Sequence, residues 1–532
     1  MGLNQIFKRP DKAATVETQR EAPTFEKVIW YRDPGLRLLY WHCFVLCWSS
    51  ATSGYDGMFF NSVQNFDSWV SFFDEPDGTR LGLLGASYQI ASVVSIPVVP
   101  YIADRWGRKV SIVIGFIIMI VGAVLQGSAQ EFGAFIGGRV LLGFGYPFTQ
   151  LASPMLLAEI AHPQHRARMT TVYNCLWNGG AFIVAWVAFG TDFLGNDWSW
   201  RIPAILQGAP SFFQLLVIWW VPESPRYLIY HDRHEEALNM LAKYHANGDA
   251  GNPTVQFEYH EISETIKLEK AVSKSSSYLD FFRTKGNRYR LMILISLGFF
   301  SQWSGNAIVS NYSAKVYESV GVTHSTAKLG LSAGQMSMSC IVALFFATKV
   351  DQWGRRPIFL ISTASMFVCL VFWTLCFALY EVYDMPGADT GVIFLIWLFS
   401  FAYAIAWSGL LIAYAVEILP YTLRAKGLMV VNLCVQAALA LNNQANPVAF
   451  DYWAGETWKL YIIYVAWVLF ELFFVFWKYV ETKGPTLEEL AKIIDGPDAP
   501  VASINIGKLE YEHDEKKAEI EVHHDGEHKT FA

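Results

Sequence analysis

Polar and apolar positions along the chain alternate on a coarse scale. Runs of about twenty residues that are almost free of charge are separated by short polar or basic stretches, and a helix needs about that length to cross ~30 Å of hydrocarbon. Such runs lie near 38–60, 82–103, 110–128, 134–157, 170–190, 203–221, 291–312, 330–349, 357–380, 391–415, 428–449 and 459–478. The pattern predicts twelve transmembrane helices. Between the sixth and seventh runs lies a long polar segment in which "RHEEALNMLAKYH" (233–245) and "FEYHEISETIKLEKAV" (257–272) carry helical periodicity with charged faces. The expected organisation is an N-terminal arm over 1–37, a six-helix half over 38–221, a helical linker over 222–290, a second six-helix half over 291–480 and a tail over 481–532.

Composition agrees with this pattern. Of 532 residues 53% are hydrophobic and only 16% charged, against ~25% charged in ordinary soluble domains. The net charge of −7 owes much to the acidic tail and points to no nucleic-acid partner. All seven cysteines fall within the apolar runs, where small apolar packing is the default. No nucleotide-binding loop, nucleophile–base set or metal-ligand spacing occurs in any run. An enzyme, an ATP-driven pump and a cofactor are therefore not expected, and the His-rich stretch near the C-terminus reads as a solvated tail.

Basic residues gather at Lys8, Arg9, Lys12, Arg20 and Lys27, over 105–109, at Arg166 and Arg168, over 226–290, over 349–356, and at Arg424 and Lys426. These are alternate loops, which the positive-inside rule places in the cytoplasm together with both termini. The N-terminus has no apolar core after its basic residues, so a cleavable signal peptide is not expected.

The two halves repeat. "DRWGRK" at 104–109 returns as "DQWGRR" at 351–356, and "AEIAHPQHRAR" around Glu159 and Arg166 returns as "VEILPYTLRAK" around Glu417 and Arg424. Each copy follows the second or the fourth span of its half, which makes two parallel six-helix pseudo-repeats, an architecture suited to alternating access around a site between them. In the first box the acidic residue (Asp104, Asp351) is expected to cap a helix start, while the arginines (Arg105, Arg108, Arg355, Arg356) reach carboxylates or helix ends nearby, the second box offering natural partners to the "GR" arginines. Breakable ion pairs at one face would form a gate; the plainer alternative is that these loops only set topology.

Five motifs make the chain resemble the sugar porter family of the major facilitator superfamily: "GYD" (54–56), "ADRWGRK" (103–109), "GRVLLGFG" (138–145), "VPESPRYLI" (221–229) and "VETKGPTLEEL" (480–490). The wording around them is most similar to the fungal lactose-permease-like and hexose transporter branch. Departures are Pro100 and Ala347 where the loop motif opens with Gly, Val480 before "ETKG", and "SGLLIAYAVE" (408–417) in place of "GPVPW".

The resemblance implies the major facilitator fold, an all-α membrane protein of twelve transmembrane helices, and proton-coupled sugar symport across the plasma membrane by a monomer. It makes Asp56 the proton-coupling carboxylate and Arg139 its switching partner. Desolvated and alone, Asp56 would take up a proton; facing Arg139 it would release one. A static ion pair is the alternative, and facilitative uniporters of the family commonly have a neutral residue at this place. Glu223, Arg226 and Glu481 join the gate through their motifs. For sugar contacts, which need convergent amides and aromatic faces, the resemblance and the residue types indicate Gln302 and Asn306, then Tyr312, Asn174, Gln335, Trp407, Gln436 and Asn442. A uniporter and a non-transporting sugar sensor remain as alternative functions, and the sugar itself, whether hexose, pentose, disaccharide or sugar acid, is left open.

Overall fold

The computed structural model describes residues 30–76, 78–273, 278–347, 353–419, 421–483 and 494. The first half comprises α1 (Pro34–Val63), the short α2 (Asp67–Phe72), α3 (Gly78–Ser95), α4 (Val98–Trp106), α5 (Arg108–Gly127), α6 (Phe132–Ile160), α7 (Arg166–Asp192), α8 (Trp198–Leu206) and α9 (Ala209–Val217). The linker folds as α10 (Pro225–Tyr230), α11 (His234–His245), α12 (Pro253–Ser273) and α13 (Asp280–Arg283). The second half follows as α14 (Lys285–Trp303), α15 (Asn306–Asn311), α16 (Ser313–Ser319), α17 (Ser325–Ala347), α18 (Arg355–Tyr383), α19 (Ala388–Ala406), α20 (Leu411–Ile418), α21 (Tyr421–Tyr452) and α22 (Trp458–Lys478).

Among the described residues nine helices are long and apolar enough to cross a membrane, ten when α3 and α4, bent by 46°, count as one span. The first and seventh spans of the twelve fall short for physical reasons. Buried Ser49, Ser50, Thr52, Ser53, Asp56, Asn61 and Ser62 lower the hydropathy of α1. The seventh span is broken between Trp303 and Asn306 and again at Tyr312, into α14, α15 and α16. Broken and polar spans are tolerated where they face protein or a cavity rather than lipid.

Local chemistry sets the helix ends. α1 starts at Pro34, ahead of the expected 38, because Asp33 Oδ1 accepts from Gly35 N at 3.0 Å and Leu36 N at 3.2 Å and proline suits the first helical position. α12 reaches back to Pro253, where the Asn252 side chain accepts from Thr254 N at 2.9 Å. Within the first half α1 and α7 cross with backbone in contact: a Cβ at Gly54 would lie 1.8 Å from Trp177 O, and one at Gly180 1.8 Å from Ala51 O. Only glycine allows this approach.

The halves meet along two seams, α3 against α21 and α7 against α17, joined by α1 against α15 and α16. The direct bonds lie toward the end opposite the linker. Asn61 Oδ1 accepts from Ser313 N (3.1 Å) and Ser313 Oγ (2.9 Å), Gln64 Nε2 donates to Asn311 O (2.7 Å), and Asn443 Nδ2 donates to Gly85 O (3.3 Å). On the other seam Ser325 and Thr326 hydroxyls donate to Asp192 Oδ2 at 2.9 and 2.6 Å.

Candidate functional site

Asp56 lies three-quarters of the way along α1, buried, and neither carboxylate oxygen has a hydrogen-bond partner among the described residues. Arg139 of α6 and Gln207, between α8 and α9, are its polar neighbours, and the buried Gln207 amide is unpartnered too. Arg139 does not reach Asp56 as an ion pair. Its guanidinium sits 5.0 Å from the ring centroids of both Phe60 and Tyr88, with Nε and Nη1 unbonded. Cation–π contacts of this kind contribute ~0.5–2 kcal/mol each. A buried carboxyl and a buried arginine thus stand near each other, each with bonding capacity to spare.

The residues anticipated as sugar contacts divide into four groups. Gln302 and Asn306 are half-exposed at the break of the seventh span; Gln302 Nε2 donates to Ser301 Oγ at 3.2 Å, and the Asn306 amide has no partner among the described residues. Asn174 is exposed on α7. Gln436 is buried with Oε1 unbonded. The others are tied into packing. Tyr312 is buried and donates to Asn443 O at 2.8 Å in the seal between the halves. Gln335 bridges Tyr317 (3.0 Å) and Ser400 (2.6 Å). Trp407 donates to Thr363 Oγ1 at 3.1 Å against the Phe359 ring. Asn442 donates to Gln302 O at 3.0 Å and accepts from Asn446 and Tyr464, both at 2.9 Å.

At the linker end the two repeats share one construction. Gly107 and Gly354 turn the chain at φ 103° and 87°, and a carboxylate then receives the first amides of the next helix. Glu223 accepts from Lys109 N at 3.2 Å, and Glu481 accepts from Arg355 N at 2.9 Å and Arg356 N at 3.1 Å. This corrects one expectation. Asp104 does not cap α5 but lies in the last turn of α4, 3.4 Å from Arg108; the sharp glycine turn carries it behind the helix start, and Glu223 from the linker takes the capping place. A carboxylate at a helix N-terminus meets free N–H groups and the positive end of the dipole. Burial pushes the Glu223 carboxyl above its usual range, against the Ser224 and Lys109 amides that hold it down.

Arg108 lies 3.3 Å from Glu159, and Arg355 2.9 Å from Glu417, so both pairs join helices within one half. Arg356 Nη2 donates to Phe476 O at 2.6 Å. Arg105 is exposed and its carbonyl accepts from Tyr227, Arg166 is exposed at the start of α7, and Arg226 is the second residue of α10. Asp351 and the Arg424 side chain lie outside the described residues.

Sequence reasoning passes over Glu471, the only acidic residue of the last span, which is fully buried with neither oxygen bonded. It also passes over Gln150, Gln207 and Asn443, whose amide character was legible but whose facing was not.

Residues 42–494 match the family model described as "Sugar (and other) transporter". A high-affinity glucose transporter of Kluyveromyces lactis is 29% identical over 486 residues, covering 88% of this chain and 87% of the relative. Hexose transporter HXT10 of Saccharomyces cerevisiae is 27% identical, covering 86% of each. Among solved structures the inward-open xylose transporter XylE from E. coli superposes with a TM-score of 0.70 at 20% identity, over 86% of this chain and all of that one, which establishes the fold. With its twelve-helix architecture and a family match over most of its length, the chain belongs to the sugar (and other) transporter family of the major facilitator superfamily, multi-pass membrane transporters and not enzymes.

Proposed function

We propose that the protein is a proton-coupled sugar symporter of the plasma membrane, with both termini and the linker in the cytoplasm, and that Asp56 carries the coupled proton. The observation that carries this reading is the Asp56 carboxyl, buried and without a hydrogen-bond partner among the described residues, with Arg139 near but held on aromatic rings. An unpaired charge in such a place is costly, so the carboxyl holds a proton here and gives it up when the halves rock and Arg139 swings onto it. Sugar bound at Gln302 and Asn306, where the seventh span breaks, links its own movement to that exchange. The relatives named for glucose and hexose, together with the basic linker-end loops, support the substrate class and the orientation.

Addition of D-glucose, D-xylose, cellobiose or lactose to unbuffered cells expressing the protein tests this. Symport makes the medium alkaline in step with uptake of the labelled sugar. Uptake with no pH change identifies a facilitative uniporter, and signalling without uptake identifies a sensor.

A further inference from the structure

Three polar residues of α6, Arg139, Tyr146 and Gln150, are spaced by seven and four and therefore share one helix face. Ser49, Ser53, Asp56 and Phe60 of α1 are spaced in the same way. The two stripes meet in antiparallel order. Phe60 lies against Arg139, Tyr146 neighbours Asp56, Ser53 Oγ donates to Gln150 Oε1 at 2.8 Å, and Ser153 Oγ donates to Ser49 Oγ at 2.9 Å. Gln150 thus lies about three turns from Arg139 on α6 and, through Ser53, one turn from Asp56, toward the linker end.

The Gln150 amide is held by its oxygen. Its Oε1 accepts at 3.3 Å from the hydroxyl of buried Tyr173 on α7 and shares the single Ser53 hydroxyl proton with the Ser49 carbonyl, the two acceptors lying 2.8 and 2.9 Å from Ser53 Oγ. Both contacts lie on the oxygen side, so the NH2 group points away from them. That NH2 has no partner among the described residues, and the side chain is half-exposed although its holders are buried. Pro154 stands four residues on inside the same helix and has no N–H for the Gln150 carbonyl. A sugar hydroxyl, which can accept, is complementary to the free NH2 group.

We propose that Gln150 is a substrate-contacting, specificity-determining residue whose Nε2 donates to one hydroxyl of the transported sugar, across the pathway from Gln302 and Asn306. This rests on the sugar-transport reading above. Placed one step from Asp56, the contact would let an arriving sugar pull on the same α1–α6 seam that carries the coupling pair, through Ser53.

The test compares wild type, Gln150→Leu and Gln150→Asn in uptake of D-glucose, D-xylose, cellobiose and lactose, and then of the monodeoxy analogues of whichever sugar is taken up. Gln150→Leu removes the donor at nearly constant volume; its half-saturation concentration should rise about three- to tenfold, as for loss of one neutral hydrogen bond. For one monodeoxy analogue wild type and variant should coincide, because the missing hydroxyl and the missing amide are the two ends of one bond. Gln150→Asn withdraws the amide by one methylene and should show the same coincidence, which keeps the test decisive if Gln150→Leu does not reach the membrane. A merely structural role shifts the parent sugar and every analogue by one common factor, and that result, or no shift at all, overturns the assignment. Failure of the wild type to take up any of the four sugars overturns the sugar reading and this assignment with it.

Discussion

At the scale of the residue, the informative feature of Asp56 is what surrounds it. Gln207 and Arg139 are its polar neighbours, and in the described state Arg139 rests on Phe60 and Tyr88. Asp56→Asn keeps size and polarity but cannot exchange a proton, so concentrative uptake should vanish while exchange of labelled sugar at equal concentrations continues. Arg139 would keep its two ring contacts, so the variant should fold with little loss. The double variant Asp56→Asn with Arg139→Gln removes a buried cation that has lost its carboxylate and should express at least as well as the single variant, still without accumulation. Surface expression and counterflow in proteoliposomes measure both expectations. Accumulation against a gradient by Asp56→Asn would reduce Asp56 to a structural carboxylate.

At the scale of the element, the linker helices are clamped to the bundle by a histidine cluster where α6 ends and α7 begins. His245 of α11 meets Glu258 of α12 at 2.8 Å and the Ile160 carbonyl at 3.1 Å, while the His162 ring stands 5.2 Å from it. His162 Nδ1 accepts from Gln164 N at 3.3 Å, and burial with the neighbouring His245 lowers its pKa to about 4. An unfolded or undocked His162 titrates near ~6.5; between there and about 4 the undocked state binds more protons, so docking weakens as pH falls through that window. Hydrogen exchange of α11 and α12 should therefore quicken between pH 7 and pH 5, and His162→Asn, whose Oδ1 can still accept from Gln164, should flatten that dependence. Equal acid sensitivity in the variant would place the switch elsewhere. The helices themselves were legible in sequence because periodicity is local: 233–245 and 257–272 read as helices and fold as α11 and α12. Helix starts were less so, since Glu223 caps α5 from more than a hundred residues away and no local pattern announces it. The amides behaved likewise: Gln302 and Asn306 keep free surface, whereas Gln335 and Asn442 have identical chemistry and are consumed by Ser400, Tyr317 and Tyr464. Which neighbour a helix face meets is tertiary information that one sequence's periodicity does not hold.

At the scale of the whole molecule, the halves are held at the end away from the linker mainly by amides and hydroxyls: Asn61 with Ser313, Gln64 with Asn311, and Asn443 with Gly85, while Asn311 and Tyr312 brace Asn443 from within the second half. Such bonds contribute only ~1 kcal/mol each because water replaces them when they open, so the closure is reversible, as alternating access requires. Gly85 stands at the centre of this seal. A Cβ there would lie 3.0 Å from Asn443 Cβ, 3.0 Å from the edge of the Phe60 ring and 3.1 Å from Tyr312 Oη. Gly85→Ala needs shifts of a few tenths of an ångström and should transport at close to the normal rate. Gly85→Trp cannot be accommodated, and the cheapest relief is to part the halves at this end, where no covalent connection resists. Overpacking of ~1–3 kcal/mol corresponds to a shift of roughly 5- to 150-fold toward the state open on that side. Labelled-sugar binding to purified Gly85→Trp should then persist while counterflow falls by a similar factor, because the closed state needed for release is rarely visited. Counterflow at the wild-type rate in Gly85→Trp would show that the α3–α21 contact does not close and open during transport, and that the moving seam lies elsewhere.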